Sequence, residues 1–231
     1  MGQDNDIQKI FTAVAGKYDL ANAILSLGLH KFWKRKTAAL SGAKTDDKIM
    51  DAAAGTGDLA LIFAKKYAAE IYALDLNEKM LEIAKIKALK ADLKGKINFV
   101  LGDIQSLPFE NDFFDIAVVG FGLRNVENLN KALLEIRRVL KPGGKFLCLE
   151  FSEPRPEILA IIYDFYSFYI LPRLGAFITG EKVGAYQYLV SSIRKFPNQE
   201  KFGEIIKTAG FKKVGYKNLT FGIVAIHFAG K

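Results

Sequence analysis

The 231-residue chain contains only one cysteine, Cys148, and two histidines, His30 and His227. A single cysteine excludes an internal disulfide, and the spacing of these three residues matches no cysteine or histidine metal-binding motif. We therefore predict no metal site. Isolated histidines are more often packed or surface residues than bases, so we assign neither one a chemical role. Cys148 lies in an apolar run typical of a core strand, and we expect a buried thiol in a reducing, cytoplasmic setting.

The sequence also lacks the basic-then-apolar order of an export signal, because residues 1–6 are polar. Acidic residues are in the minority: 33 Lys and Arg against 25 Asp and Glu give a formal net charge of +8. This basic excess favours an anionic partner, either nucleic acid or the surface of an anionic membrane. The basic residues are dispersed, with one small cluster at residues 31–36, and they carry no RNA-binding signature. We predict no nucleic-acid partner.

Apolar runs and helical patterns alternate along the middle of the chain, which favours a parallel, doubly wound α/β sheet covered on both faces. Residues 141–144, Lys-Pro-Gly-Gly, are expected to break the chain before the fifth strand. The last two strand patterns are separated by too few residues for a crossover helix, so they should form an antiparallel hairpin. The predicted strands are 48–53, 71–75, 97–101, 114–121, 145–151, 211–216 and 222–228, and the predicted helices are 58–67, 78–90 and 128–140.

We expect one domain with four parts: an N-terminal helical lid (1–46), a cofactor-binding half (47–153), an aromatic helical insertion (154–198), and a C-terminal helix and hairpin (199–231). The two helical segments are not needed for the sheet and should pack on its carboxyl edge. Within the insertion, the apolar run 158–178 is interrupted by Asp164, Pro172 and Arg173. We therefore predict that this run does not span a membrane and that some of its aromatic side chains line an apolar mouth.

Glycines follow the first predicted strand in the stretch Gly55-Thr56-Gly57-Asp58. In doubly wound sheets, the turn after this strand borders the crevice in which ligands bind. Glycine lets the backbone approach a ligand closely, and the start of the next helix offers free N–H groups to a carboxylate. The methionine carboxylate of S-adenosylmethionine fits these donors.

Acidic residues near the same crevice extend this prediction. Asp51, before the turn, suits an ammonium group, and Asp75, at the end of the second strand, suits the ribose hydroxyls or caps the next helix. Asp103 and Ile104, after the third strand, suit an adenine edge. The glycine pattern also fits a dinucleotide motif, so an NAD(P)-dependent oxidoreductase is the alternative. Asp51, Asp103 and the terminal hairpin favour S-adenosylmethionine.

Several further motifs are spread along the chain. The most specific are Phe121-Gly122-Leu123-Arg124-Asn125 and Tyr163-Asp164-Phe165-Tyr166-Ser167, and the others are Lys17-Tyr18-Asp19-Leu20, Leu25-Ser26-Leu27-Gly28, Ser192-Ile193-Arg194 and Asn218-Leu219-Thr220-Phe221. Through these motifs the chain resembles, from Phe11 to Gly230, the quinone C-methyltransferases, namely the demethylmenaquinone and 2-polyprenyl-6-methoxy-benzoquinol methylases. The family often has glycine at position 54 and serine at position 120, where this chain has Ala54 and Gly120. The resemblance implies contacts with the cofactor at Thr56, Asp75, Asp103 and Ile104, so the predicted site comprises Asp51, Gly55, Thr56, Gly57, Asp75, Leu76, Asp103 and Ile104.

The resemblance also implies C-methylation of a quinol ring, which becomes nucleophilic as a ring hydroxyl loses its proton. A free phenol has a pKa of about 10, so a fixed guanidinium in a water-poor site would help to stabilise the phenolate. Arg124 and Asn125 follow the fourth strand at the carboxyl edge and form the predicted electrostatic pair, although Asn125 could equally cap the next helix. Tyr18 is a candidate for bonding the quinol oxygen or for packing, and Asp19 is a weaker candidate.

The implied substrate is a polyprenyl quinol, most directly demethylmenaquinol, with the benzoquinol of ubiquinone synthesis also open. Because such a substrate resides in the bilayer, the basic charge predicts a cytoplasmic enzyme in peripheral contact with the inner, anionic face of the membrane. An RNA-modifying methyltransferase is the second alternative. The oligomeric state stays open, with a homodimer among the options.

Overall fold

The computed structural model describes residues 18–155, 169, 173 and 184–231. Within these residues, seven strands form one sheet with helices on both faces. Short 3-10 helices lie at Leu123–Asn125 and Thr220–Gly222. The strands are β1 (Lys48–Ala52), β2 (Glu70–Asp75), β3 (Ile97–Leu101), β4 (Phe114–Gly120), β5 (Leu140–Phe151), β6 (Lys212–Leu219) and β7 (Val224–Gly230), and the helices are α1 (Tyr18–Leu25), α2 (Leu29–Ser41), α3 (Asp58–Lys66), α4 (Glu78–Lys90), α5 (Leu129–Val139), α6 (Gly184–Lys195) and α7 (Gln199–Thr208).

The strand order is β3-β2-β1-β4-β5-β7-β6. Strands β1 to β5 pair in parallel, whereas β7 is antiparallel to both β5 and β6. The predicted parallel sheet with a terminal hairpin is therefore confirmed. The strand order reverses beside β1, and the crevice at the carboxyl ends of β1 and β4 is where such sheets bind ligands. In the dinucleotide-binding order the sixth strand lies next to the fifth, so the insertion of β7 beside β5 departs from it.

Side chains that alternate along the central strands supply two apolar cores, one on each face of the sheet. On one face, Ile49 and Val118 pack with α2 and α3 through Trp33 and Phe63. On the other face, residues of β1, β4 and β5 pack against α5 and α7. Cys148 lies fully buried in β5, as predicted. The helices on the two faces hold the carboxyl edge of the sheet in place.

The prediction that residues 141–144 break the chain before the fifth strand is wrong. The Lys-Pro-Gly-Gly stretch belongs to β5, where it makes a bulge: Phe114 pairs with Leu140, and Ile116 next pairs with Lys145. Gly143 has a φ of 80°, which favours glycine. The chain thus bulges out of the sheet without leaving it, because the partner strand continues on both sides of the irregularity.

The N-terminal helices pack against the sheet through the inner face of α2. Trp33 is buried there, and its Nε1 donates a hydrogen bond to Thr220 Oγ1 at 2.8 Å. Thr220 belongs to the 3-10 turn between β6 and β7, which shifts both hairpin strands a few residues from their predicted positions. None of the helices that the structure describes is both long and apolar enough to cross a bilayer. The run 158–178 lies almost wholly outside the described residues.

Candidate functional site

The glycine turn and the acid at the end of β2 meet at the carboxyl edge. Asp75 Oδ2 accepts a hydrogen bond from Gly55 N at 2.7 Å, and its Oδ1 accepts one from Asn77 N at 2.8 Å. Asn77, rather than Asp75, caps α4 through its own side chain. Burial raises the pKa of Asp75, although these backbone donors oppose the shift. An ideal Cβ on Gly55 would meet no atom within 4 Å, so open space adjoins the turn.

Asp51, in β1, lies beneath the same turn. Its side chain is only 1% exposed, and its Oδ2 accepts a hydrogen bond from Ala60 N, in the first turn of α3, at 2.9 Å. Burial raises the pKa of Asp51 to about 7, with smaller opposing contributions from the Ala60 N–H and from Lys34. Asp51 is therefore a helix-capping acid that holds a proton easily, and its charge would be stabilised by a cation in the crevice.

Thr56 belongs to a charged network that sequence reasoning missed. Its Oγ1 donates to Asp19 Oδ1 at 2.6 Å, and Lys87 Nζ lies 2.7 Å from Asp19 Oδ2. Lys87 also binds Asp58, which pairs with Lys34 at 2.8 Å on its other oxygen. Burial alone would raise the pKa of Asp58, but Lys34 and Lys87 outweigh it and hold the pKa well below its ordinary value. The network thus joins α1, α2, α3 and α4 around the turn.

The remaining predicted cofactor residues line the edge next to β2 and β3. Leu76, directly after β2, is an exposed apolar side chain beside the acid that precedes it. Asp103 Oδ1 accepts a hydrogen bond from Gln105 N at 2.8 Å, and Ile104 is buried in the core. Gly102 N donates to the Asp75 carbonyl at 3.0 Å, so the carboxyl ends of β2 and β3 lie side by side. The structure therefore brings all predicted cofactor residues to one edge of the sheet.

Arg124 follows β4, as predicted, but its guanidinium is paired. Nη1 lies 2.9 Å from Glu150 Oε1 of β5, and the two side chains are 3% and 1% exposed. Nη1 also donates to the Phe121 carbonyl, and the guanidinium carbon lies 5.4 Å from the centroid of the Phe151 ring. Within the part of the chain that the structure describes, the buried Nε has no hydrogen-bond acceptor. Burial raises the pKa of Glu150, and Arg124 opposes this shift. The Arg124 guanidinium is therefore held in place and shielded from water, but the Glu150 carboxylate offsets its positive charge.

Asn125 makes a tertiary contact and does not cap the following helix. Tyr188 Oη, from α6, lies 3.2 Å from Asn125 Oδ1, whereas Asn128 caps α5 by accepting from Lys131 N. The capping alternative for Asn125 is therefore wrong. Tyr18 is the first residue of α1, and its side chain lies outside the described part of the chain.

Aromatic rings connect α2 to the buried ion pair. Trp33 lies 6.1 Å from Phe121 between ring centroids, and Phe121 lies 4.8 Å from Phe151. The turn after β4 comes very close to the end of β1, because an ideal Cβ on Gly122 would lie 2.6 Å from Ala53 Cβ. Glycine is therefore required at position 122. A Cβ on Gly120 would meet the end of the Leu59 side chain at 2.6 Å, so a serine there would displace that leucine.

Both histidines are packed side chains. His30 Nδ1 lies 2.8 Å from Ser26 Oγ, and His227 Nε2 lies 2.9 Å from the Gln199 carbonyl. Burial lowers the pKa of each. Among the described residues, no group of three or more histidine, cysteine or acidic side chains is arranged to hold a metal ion.

Comparison with known proteins adds a family relationship to this geometry. Residues 1–231 match the ubiE/COQ5 methyltransferase family. The chain is 46% identical to the ubiquinone/menaquinone biosynthesis C-methyltransferase UbiE of Rickettsia massiliae, covering 96% of this chain and 91% of the relative. It is 42% identical to the mitochondrial 2-methoxy-6-polyprenyl-1,4-benzoquinol methylase of Rattus norvegicus, covering 96% and 78%. The fold matches a SAM-dependent methyltransferase from Aquifex aeolicus with a TM-score of 0.63 at 18% identity, covering 87% and 91%.

Proposed function

Because the chain belongs to the ubiE/COQ5 methyltransferase family, we propose that it transfers a methyl group from S-adenosylmethionine to a ring carbon of a polyprenyl quinol. The most direct acceptor is demethylmenaquinol, and the benzoquinol of ubiquinone synthesis is a second acceptor. The observation that carries the proposal is the convergence of the Gly55 turn, Asp75 and the buried Arg124–Glu150 pair on one edge of the sheet. In this proposal, the glycine turn and Asp75 bind the nucleoside part of the cofactor, and the buried Arg124–Glu150 pair lies beside the quinol ring.

The residues at the edge fit S-adenosylmethionine. Open space beside Gly55 leaves room for a ligand against the backbone. The Asp75 carboxylate is oriented by two backbone N–H groups, so its oxygens are held ready for the two ribose hydroxyls. The raised pKa of Asp51 falls when an ammonium group approaches, because a nearby positive charge stabilises the carboxylate. Leu76, an exposed apolar side chain, offers a surface for the adenine ring.

Bound S-adenosylmethionine supplies an electrophilic methyl group, and the quinol supplies the electron pair of the new carbon–carbon bond. Transfer would leave the electron pair of the broken sulfur–carbon bond on sulfur in S-adenosylhomocysteine, and the methylated ring carbon would release its proton to water as aromaticity is restored. For this chain, the main task is to stabilise the phenolate that makes the ring nucleophilic. We assign this task to Arg124, whose Nε–H is a buried donor with no acceptor among the described residues. Glu150 fixes the guanidinium in position.

The proposed substrate is a membrane lipid, so the enzyme must meet it at a bilayer surface. A net charge of +8 favours attraction to anionic lipid, and we propose peripheral contact with the inner face of the membrane. The antiparallel β7 beside β5 argues against an NAD(P)-dependent oxidoreductase. The family relationship argues against that enzyme and against an RNA-modifying enzyme. A homodimer is compatible with this proposal but not required by it.

Calorimetric titration with S-adenosylmethionine, S-adenosylhomocysteine and NADH, combined with a methyl-transfer assay, tests the proposal. We expect binding of both adenosyl ligands and transfer of labelled methyl to demethylmenaquinol or to the demethylated benzoquinol. The fully methylated quinols are the matched controls and should accept no label. Binding of NADH alone, or transfer only to RNA, would replace the proposal with one of the two alternatives.

A further inference from the structure

The corner between α1 and α2 exposes several large apolar side chains. Leu27, at the turn between the two helices, is 85% exposed, and its φ of 49° is unfavourable for a branched side chain. Single exposed leucines are common on protein surfaces, but here five large exposed apolar side chains lie close together in sequence, two on α1, one in the turn and two in the first turn of α2. These five residues, which we call the corner patch, are Leu20, Ile24, Leu27, Leu29 and Phe32.

Helical spacing places the patch side chains of each helix near one another. Leu20 and Ile24 are four positions apart on α1, Leu29 and Phe32 are three apart on α2, and Leu27 lies in the turn that joins the two helices. The opposite face of α2 is buried against the sheet through Trp33 and its neighbours. Phe32 therefore lies on the solvent side of α2, next to exposed basic side chains and away from the buried face.

The charge around the corner patch is strongly positive. Residues 18–41 contain four basic side chains and one acid, Asp19. Asp19 is paired with Lys87, and Lys34 points inward to Asp58. Three basic side chains are left at the solvent face of α2, and within the described residues none of them forms an ion pair with an acid: Lys31, Arg35 and Lys36.

We propose that the corner patch docks on the surface of an anionic bilayer, with its apolar side chains inserted and the basic side chains against the lipid headgroups. This combination of exposed Leu and Phe with Lys and Arg is typical of interfacial helices. The proposal rests on the proposed function, because it identifies where the enzyme meets a membrane-borne substrate. Attraction by charge and insertion by apolar side chains should act together, so the binding should weaken with salt.

The corner between α1 and α2 adjoins the candidate site, so docking there would place the site close to the membrane surface. Asp19, on α1, contacts Thr56 at the glycine turn, and Trp33, on α2, packs near Phe121, whose carbonyl binds Arg124. The inner side of the corner thus touches both halves of the candidate site, while the outer side carries the patch. A helix is about 10 Å across, so docking would bring the site to within about one helix diameter of the headgroups.

Substitutions at exposed positions test the proposal without disturbing the core. Leu27→Asn removes the apolar tip and places a residue that tolerates the left-handed backbone, so stability should not fall. Phe32→Gln keeps a good helix former on α2. Leu134→Gln and Lys131→Gln on α5 are the matched controls, because α5 packs on the opposite face of the sheet and both side chains are exposed.

Cosedimentation of the full chain with phosphatidylglycerol-containing and pure phosphatidylcholine vesicles, without substrate, gives the readout. We expect the wild type to prefer the anionic vesicles, the Leu27→Asn/Phe32→Gln double variant to bind at least about tenfold more weakly, and each of Lys31→Gln and Arg35→Gln to cost roughly fivefold. The α5 controls should bind as the wild type does. Equal binding by the double variant and the wild type would overturn the proposal.

Two further measurements separate this proposal from its rivals. On a short-chain, water-soluble quinol the double variant should keep wild-type turnover, and on a long-chain quinol in vesicles it should lose it. If the wild type turned over none of the quinols, the proposed function would be refuted. The cosedimentation experiment would still show whether the corner patch binds the bilayer, because it uses no substrate. Sedimentation velocity tests a second copy as the occupant: a wild-type dimer that Leu27→Asn dissociates, with unchanged vesicle binding, would refute membrane docking.

Discussion

Asp51→Asn should stabilise the fold above neutral pH. Burial raises the pKa of this carboxyl from an ordinary value of 3.8 to about 7. Between these values the unfolded chain is ionised at Asp51 while the folded chain keeps the proton, so the free energy of unfolding falls as pH rises through this window. The full shift corresponds to about 4 kcal/mol at pH above 7. Asparagine carries no charge and can still accept the Ala60 N–H, so the variant should lack this loss.

Urea unfolding of the ligand-free protein at about pH 4.5 and about pH 8 measures the effect. We expect the variant and the wild type to be similar at the lower pH and the variant to be more stable at the higher pH. Asp58→Asn is the matched control with the opposite sign: its pKa is lowered, so neutralisation should destabilise the fold at neutral pH. A variant at Asp51 that is less stable at pH 8, with an unchanged pH dependence, would refute the reasoning. The same variant should bind S-adenosylmethionine more weakly, because it loses the partner of the ammonium group.

Further substitutions test other parts of the site. Asp75→Ala should weaken S-adenosylmethionine binding by about 1.5–3 kcal/mol, the scale of hydrogen bonds to a charged group, and unchanged affinity by calorimetry would remove it from the cofactor site. Arg124→Lys should keep cofactor affinity and lower kcat about 100-fold, most strongly near neutral pH, since an ammonium lacks the fork that binds Glu150 and leaves Nε–H free. Wild-type turnover would leave Arg124 a structural role. Asp19→Asn should reduce stability by less than about 1 kcal/mol, because its pair with Lys87 is partly exposed. It should also speed hydrogen exchange in α1, and unaltered exchange would show that the Asp19–Thr56 contact does not hold α1 against the glycine turn.

The sequence was sufficient for features that depend on short-range pattern. The glycine turn, the acid at the end of β2 and the terminal hairpin follow from spacing along the chain, and the structure brings Gly55 and Asp75 together as expected. The bulge at Gly143 could not be predicted in this way, because it depends on whether the neighbouring strand continues beyond the break. Local signals of a turn do not distinguish a bulge from a strand end.

The ion pairs that the sequence did not predict join residues far apart along the chain. Glu150 lies in an apolar run, and a lone acid in such a run is a signal that a buried partner is needed, but the sequence does not say which one. The partner is Arg124, which was predicted to act on the quinol together with Asn125 and for which the sequence indicated no acidic partner. Lys34 and Lys87 lie on amphipathic helices and look like solvent-facing lysines, whereas both bind Asp58 beside the crevice. Only the packing of four helices around one turn brings these charges together.

Nuclear magnetic resonance of the product formed with carbon-13 methyl-labelled S-adenosylmethionine tests the central claim most directly. The enzyme is incubated with demethylmenaquinol and, separately, with the demethylated benzoquinol, and the position of the label is read from the carbon shift and its coupling to the ring. We predict a labelled methyl group bonded to a ring carbon and stoichiometric formation of S-adenosylhomocysteine. A label in the methoxy region, or no transfer to either quinol by a protein that binds S-adenosylmethionine, would contradict C-methylation of a quinol ring.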